Sequence, residues 1–220
     1  MALNIPGSTH PIQSRLRINP DKVIAEYDFV VVNEVYRQGT IGGPCRLSCR
    51  ETTPRVYTLS AEHGFGDWFF PYVSRTEGGV GTCQVPADQQ HGTIVATGGM
   101  NGCALQVNRV GRGERSTLHF YHDTNSRSMK GKLTPGDVVA LIQPDQYCGV
   151  DGMGAKLAGD YSRAHSKSGA VFEHYLLTIR DGALWKIFSS SVLRIQSTDN
   201  SVKFQSFRPK PTKLVGMFPA

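Results

Sequence analysis

Thr97-Gly98-Gly99-Met100-Asn101-Gly102-Cys103 runs straight into Ala104-Leu105-Gln106-Val107-Asn108-Arg109-Val110, and Leu118-His119-Phe120-Tyr121-His122-Asp123 follows a glycine-containing loop. The alternation of apolar and polar residues on both sides of the loop reads as a half-buried β-hairpin. With Gly111-Arg112-Gly113-Glu114 as the loop, Val110 pairs with Arg115, and counting outward sets Cys103 directly opposite His122. Opposed side chains share a face with Cβ atoms about 5 Å apart, close enough for a thiol–imidazole hydrogen bond. The same count places Leu105, Val107, Leu118 and Phe120 on that face, and Gln106, Asn108, Thr117 and His119 on the other. His119 then pairs with Gln106, away from the sulfur; a slip of one residue would exchange the two histidines.

Outward from this hairpin the chain reads as mostly β. A long strand is expected over residues 23–36, around Phe29-Val30-Val31-Val32, with shorter strands over 56–59, 68–73, 92–97 and 137–142. Residues 171–180 and 183–189 flank Asp181-Gly182, a two-residue hairpin signal, and 192–196 and 202–207 extend that sheet. Short helices are expected over 11–17 and 151–158. The expected architecture is α/β but β-rich, a twisted β-sandwich of mixed sheets with a few flanking helices, forming one domain over residues 1–220.

Composition sets the wider bounds. At 220 residues and 39% hydrophobic, the chain can bury one sizeable core, and nothing in its charge or complexity suggests disorder. No apolar run is long enough to span a bilayer, and the start Met1-Ala2-Leu3-Asn4-Ile5-Pro6 lacks the pattern of a general secretory signal, so no membrane insertion is expected. Cys45, Cys49, Cys83, Cys103 and Cys148 are an odd number, which agrees with a reducing working compartment. Cys45 and Cys49 with His63 could supply three zinc ligands, but no second close pair follows, and Arg46 and Arg50 beside those thiols suggest an exposed loop. No metal and no cofactor is expected. Gly149 to Lys156 fits neither the dinucleotide nor the P-loop spacing and reads as a loop that, with residues 160–169, could border a site.

The chemistry concentrates at Cys103. A glycine-rich turn lets backbone amides crowd round a thiol, and an imidazole on the partner strand can take its proton, the minimum set for thiol-based acyl transfer. Gly99-Met100-Asn101-Gly102-Cys103 together with Phe120-Tyr121-His122 resembles the catalytic core of the cytotoxic necrotizing factor and Burkholderia lethal factor deamidase toxins. Those present a Leu-Ser-Gly-Cys turn with a histidine on the next strand; here Met100-Asn101 replaces Leu-Ser, and the similarity covers about residues 97 to 123. Thr97, upstream of the cysteine, looks like the assisting threonine of the lethal factor. The resemblance implies a bacterial toxin-like glutamine deamidase that converts one glutamine of a host protein to glutamate. Its implied target is a translation-initiation RNA helicase or a Rho-family GTPase. Made in the bacterial cytoplasm without a general secretory signal, such a protein is expected to be exported or delivered to host cytosol and to act as a monomer.

On this reading Cys103 is the nucleophile. His122, as imidazolium beside a thiolate, lowers the thiol pKa from its ordinary value near 8.5, protonates the departing ammonia and then activates water. Backbone N–H groups of Cys103 and its neighbours, with Gly102 and Asn101 in the turn, are the expected oxyanion donors. Asn101 either donates through its carboxamide or takes a left-handed turn conformation, and Thr97 either orients His122 or bonds a nearby carbonyl. The plainer readings stand beside these: a buried apolar cysteine, a surface histidine, Asp123 as a turn former and Met100 as packing. Cys83, after Gly78-Gly79-Val80-Gly81, is a rival thiol without a histidine at hairpin distance. A net charge of +6 and a pI near 9.1 keep a second class open, a basic β-rich domain that binds nucleic acid or protein without catalysis, although the charges are scattered except at Arg208, Lys210 and Lys213. A cysteine protease or transglutaminase would use similar groups.

Overall fold

Pro11 opens helix α1 (Pro11–Ile18), where its missing N–H costs nothing, and the His10 side chain accepts the Ile12 N–H at 3.2 Å. Asn19 then stops α1 and caps helix α2 (Pro20–Glu26), its side-chain oxygen accepting from the Lys22 N–H at 3.2 Å. The expected strand over 23–36 is therefore split. Val23 and Ile24 are buried on α2, and strand β1 is only Asp28–Asn33. β-Branched residues fit either element; the Asn-Pro-Asp start, with cap, N1 proline and first-turn acid in order, decides for the helix.

The computed structural model describes residues 10–129, 131–147, 169–196, 199, 201–206 and 213–220. The remaining elements are β2 (Gly43–Thr53), β3 (Val56–Phe70), β4 (Val80–Pro86), β5 (Ile94–Thr97), β6 (Ala104–Val110), β7 (Thr117–Asp123), β8 (Asp137–Ile142), the short helix α3 (Pro144–Tyr147), β9 (Gly169–Asp181), β10 (Leu184–Gln196), β11 (Val202–Ser206) and β12 (Leu214–Pro219). They form two sheets. The larger is mixed, ordered β1-β3-β5-β9-β10-β11, with β2 on the far edge of β3 and β12 beside β10. The smaller is antiparallel, ordered β4-β7-β6-β8. The molecule is β-rich with few helices, as the sequence leads one to expect.

The expected strands at 56–59 and 68–73 are two ends of one strand, β3, which runs parallel to β1 at its start and to β5 at its end. Gly64 and Gly66, both at positive φ, interrupt its alternation and hide the continuity. Residues 192–196 likewise belong to β10, and the β9–β10 hairpin closes at Gly182-Ala183, where Asp181 pairs with Leu184. Cys45 and Cys49 do not lie in an exposed loop: they sit on β2, Cys45 fully buried, while Arg46 on the outer face pairs with Glu62 at 2.8 Å. The expected helix at 151–158, the glycine stretch from Gly149 to Lys156, Cys148, His165, Arg208 and Lys210 lie outside the described residues.

Apolar faces dictate the layering. One core lies between α1, α2 and the outer face of the larger sheet, holding Leu16, Ile24, Phe29, Leu59 and Ile179. A second lies between the sheets, where Phe70, Leu176, Trp185 and Ile187 meet Leu105, Val107, Leu118 and Phe120. The helical layer is locked on by a buried ion pair. Arg17 grips Asp67 with two bonds, 2.7 and 2.6 Å, and gives a third to the Gly92 carbonyl at 2.8 Å, while Asp67 also accepts the Leu47 and Ile94 N–H groups. These bonds offset much of the desolvation of both charges, which an isolated buried charge could not do, although Arg17 Nε is left without a partner.

Candidate active site

The β6–β7 hairpin forms with a longer loop than its sequence suggests. A 3-10 turn at Gly113–Arg115 extends the connection, so Val110 pairs with Thr117 and Leu105, not Cys103, faces His122. The register moves by two residues, and because side chains alternate with period two the faces survive. Cys103 remains in one apolar cluster with Leu105, Val107, Leu118 and Phe120, on the same side as His122. His119 pairs with Asn108 rather than Gln106 and stays on the opposite face. Diagonal neighbours of this kind are about 7 Å apart. The direct opposition expected from the sequence is thus replaced by a diagonal one, and His122 Nε2 makes no hydrogen bond to the thiol.

Cys103 ends a tight turn. Its N–H donates to the Met100 carbonyl at 3.0 Å, and Gly102 takes the left-handed position at φ +79°. Asn101 occupies the turn without the left-handed conformation; its carboxamide oxygen accepts the His174 N–H at 3.1 Å. Met100, fully buried, donates its own N–H to the His174 carbonyl at 2.8 Å. Tyr147 fixes the turn from the other side, its hydroxyl at 2.6 Å from the Cys103 carbonyl and in close contact with that of Met100. Asp123 accepts the Ser128 N–H at 2.7 Å and caps its loop. The Cys103 amide, one of the backbone donors expected at an oxyanion, is engaged within the turn.

An added Cβ would meet nothing within 4 Å at either Gly99 or Gly102, so the space over the turn is open at both. Only Gly102 needs positive φ. Gly102→Ala is accordingly expected to cost about 1–2 kcal/mol, and Gly99→Ala to stay within about 0.5 kcal/mol, in chemical denaturation.

Thr97 holds His122 from β5. Thr97 Oγ1 lies 2.9 Å from the Phe70 carbonyl oxygen and 2.8 Å from His122 Nδ1. A carbonyl only accepts, so the hydroxyl proton goes to Phe70 and the hydroxyl oxygen accepts from Nδ1–H. His122 is therefore the Nδ1–H tautomer, with its Nε2 lone pair unused. That nitrogen is buried and has no hydrogen-bond partner among the described residues. Burial pushes the His122 pKa down to about 3, so the ring is a neutral base and not the imidazolium of a preformed ion pair. Tyr72, half exposed, stands edge-on to this ring at 5.4 Å between centroids.

A second histidine, which no local spacing singles out, comes from the other sheet. His174 on β9 pairs with Ser191 on β10, and its Nδ1 lies 2.7 Å from the Ser191 hydroxyl. Its ring meets that of Tyr147 at 5.5 Å, and burial lowers its pKa to about 4. Cys103 is itself buried, at 2% exposed. Among the other described thiols, burial pushes the pKa of Cys83, opposite Phe120, and of the half-buried Cys49 up to about 12, and raises that of Cys45 as well. Among the described residues, no three His, Cys, Asp or Glu side chains gather as a group able to hold a metal. No described helix is long and apolar enough to cross a membrane. No protein-family model matches the chain, and no curated protein matches it.

Proposed function

We propose that the protein is a bacterial toxin-like glutamine deamidase, with Cys103 as nucleophile, His122 as general acid and base, and Thr97 as the group that orients His122. The observation that carries this reading is the hydrogen-bond polarity at Thr97, which leaves a bare imidazole nitrogen buried on the face of the thiol. An unsatisfied polar atom in a core is a stability cost, and a proton-accepting role accounts for its retention.

In the reaction, Nε2 takes the thiol proton as sulfur bonds to the carboxamide carbon, and the resulting imidazolium returns that proton to nitrogen as the C–N bond breaks and ammonia leaves. Water then gives a proton to Nε2 as its oxygen attacks the thioester, the C–S bond breaks, and the proton returns to sulfur. Glutamine becomes glutamate. With the Cys103 N–H engaged, the available oxyanion donors are the Gly102 N–H and the Asn101 carboxamide nitrogen, the latter aimed by the hold of its oxygen on His174. The substrate is a host protein, reached over the open side of the turn at Gly99 and Gly102.

Wild type, Cys103→Ser and His122→Ala are to be incubated in eukaryotic lysate and glutamine-to-glutamate conversion mapped by peptide mass spectrometry. One site modified by wild type alone is expected, and it names the target, whether helicase, GTPase or another protein. No such site, with all three proteins folded, overturns the reading. Amine incorporation or backbone cleavage at the glutamine would reassign the thiol to a transglutaminase or a protease.

A further inference from the structure

The inter-sheet core has a second polar end. Strand register places Arg180 opposite Trp185 across the β9–β10 hairpin, both on the face that holds Leu176 and Ile187. Arg109 follows Leu105 and Val107 on the inner face of β6 and reaches the same end, its guanidinium bonded to the Pro219 carbonyl at 2.5 Å and the Ser116 hydroxyl at 3.3 Å. Pro219 is the neighbour of Phe218, which pairs with Trp185 and stacks on it at 6.4 Å. From His174 to Arg180 the strand advances about 20 Å, so this end is remote from Cys103.

Three buried donors here lack an acceptor: Arg180 Nε, Arg180 Nη1 and Trp185 Nε1. Trp185 is fully buried, so its indole N–H cannot turn to water. Neither Arg109 nor Arg180 forms an ion pair among the described residues, and each cation feels the other, which with burial lowers the Arg180 pKa. The nearby carboxylates do not relieve this. Asp137 pairs with Arg109 in the sheet but is exposed and makes no bond to it, and Asp181 lies on the opposite face, engaged by Lys186 at 2.8 Å. Two half-buried guanidinium groups, one with two buried and idle N–H groups, stand beside an unbonded indole with no counter-charge, an arrangement that an anion completes.

We propose that Arg180, Arg109 and Trp185 form a binding site for a phosphate group at the end of the sandwich remote from the thiol. A phosphate dianion neutralises both cations, whereas a single carboxylate neutralises one, and its oxygens can accept all three idle N–H groups.

The test uses inorganic phosphate as probe and Trp185 as reporter. The chain has two tryptophans, so Trp68→Phe leaves the fluorescence to Trp185. Phosphate at low ionic strength is expected to change that fluorescence saturably and to raise the melting temperature by about 5–10 °C at a hundredfold excess over Kd. Arg180→Met removes like-charge repulsion, so it should melt no lower than wild type without phosphate and should lose the phosphate-dependent rise; Arg109→Met should weaken it. No saturable response in wild type, the same rise in Arg180→Met, or an equal response to acetate would overturn the assignment. If Arg180→Met does not fold, the Arg109→Met and acetate comparisons decide alone.

Discussion

His122→Leu is expected to lower the glutamine-hydrolysing rate by about 10²–10⁴-fold while leaving the thermal midpoint unchanged or raised. Leucine fills most of the imidazole volume and removes a buried imidazole nitrogen that has no partner. Thr97 keeps its bond to the Phe70 carbonyl in the variant, so no new orphan is created on that side. A histidine that only packed the core would give the opposite pattern, with activity kept and stability changed. Thr97→Val probes the same bond from its other end. It removes the acceptor that holds Nδ1–H, freeing the ring to change tautomer, and should lower kcat with little change in KM. The pH profile adds a third check. With the His122 pKa near 3, the base is already neutral at every pH at which the protein folds, so kcat/KM should show no acidic limb near 6.5, where an ordinary histidine titrates. A limb at 6.5 in the folded enzyme would contradict the neutral-base mechanism.

How far the site could be read from the sequence follows from periodicity. Alternation put Cys103 and His122 on one face and His119 on the other, and the structure keeps that sorting because the register error is an even number. The two-residue difference arises in the loop, where the glycines suggest a four-residue turn but a 3-10 turn at Gly113–Arg115 lengthens the connection. Thr97 was seen as orienting His122 or bonding a carbonyl, and its one hydroxyl does both. His174 and Tyr147 were beyond such reasoning. They reach the turn across the gap between sheets, and no local spacing encodes which strands will face each other. The hairpin at residues 182–183 does, in retrospect, set His174 beside Ser191 once its loop is placed correctly.

The fold shows the same limit. Strands that follow turn residues, such as β8 at Asp137–Ile142, are legible with their bounds, because an apolar run and the punctuation before it agree there. Residues 23–26 were misread because an apolar β-branched run carries no period of its own, whereas the capping residues before it do. In β3 the reverse holds: Gly64 and Gly66 break the alternation inside one continuous strand, so only its two ends carry a strand signal.

The two buried histidines also make the fold sensitive to acid. In the folded protein burial depresses the pKa of His122 to about 3 and that of His174 to about 4, while in the unfolded chain both titrate near 6.5. Between those limits the unfolded state binds more protons than the folded state, so stability rises with pH; it is fully present above about 6.5 and drains away as pH falls toward the folded values. Each proton contributes a slope of about 1.4 kcal/mol per pH unit, so the pair removes on the order of 5 kcal/mol by pH 4, which rivals the whole stability of a small domain. Acid unfolding followed by near-ultraviolet circular dichroism should therefore begin below pH 6.5, above the range in which ordinary carboxylates take up protons. His122→Leu should move the midpoint to lower pH by deleting one of the two protons taken up, and His174→Gln, which can still bond Ser191, should do the same. The effects should add only in part, because both rings press on the Met100–Cys103 turn or its strand, one through Thr97 and β7, the other through Asn101 and Tyr147. A midpoint that neither variant moves would overturn the assignment of the acid lability to the two buried histidines.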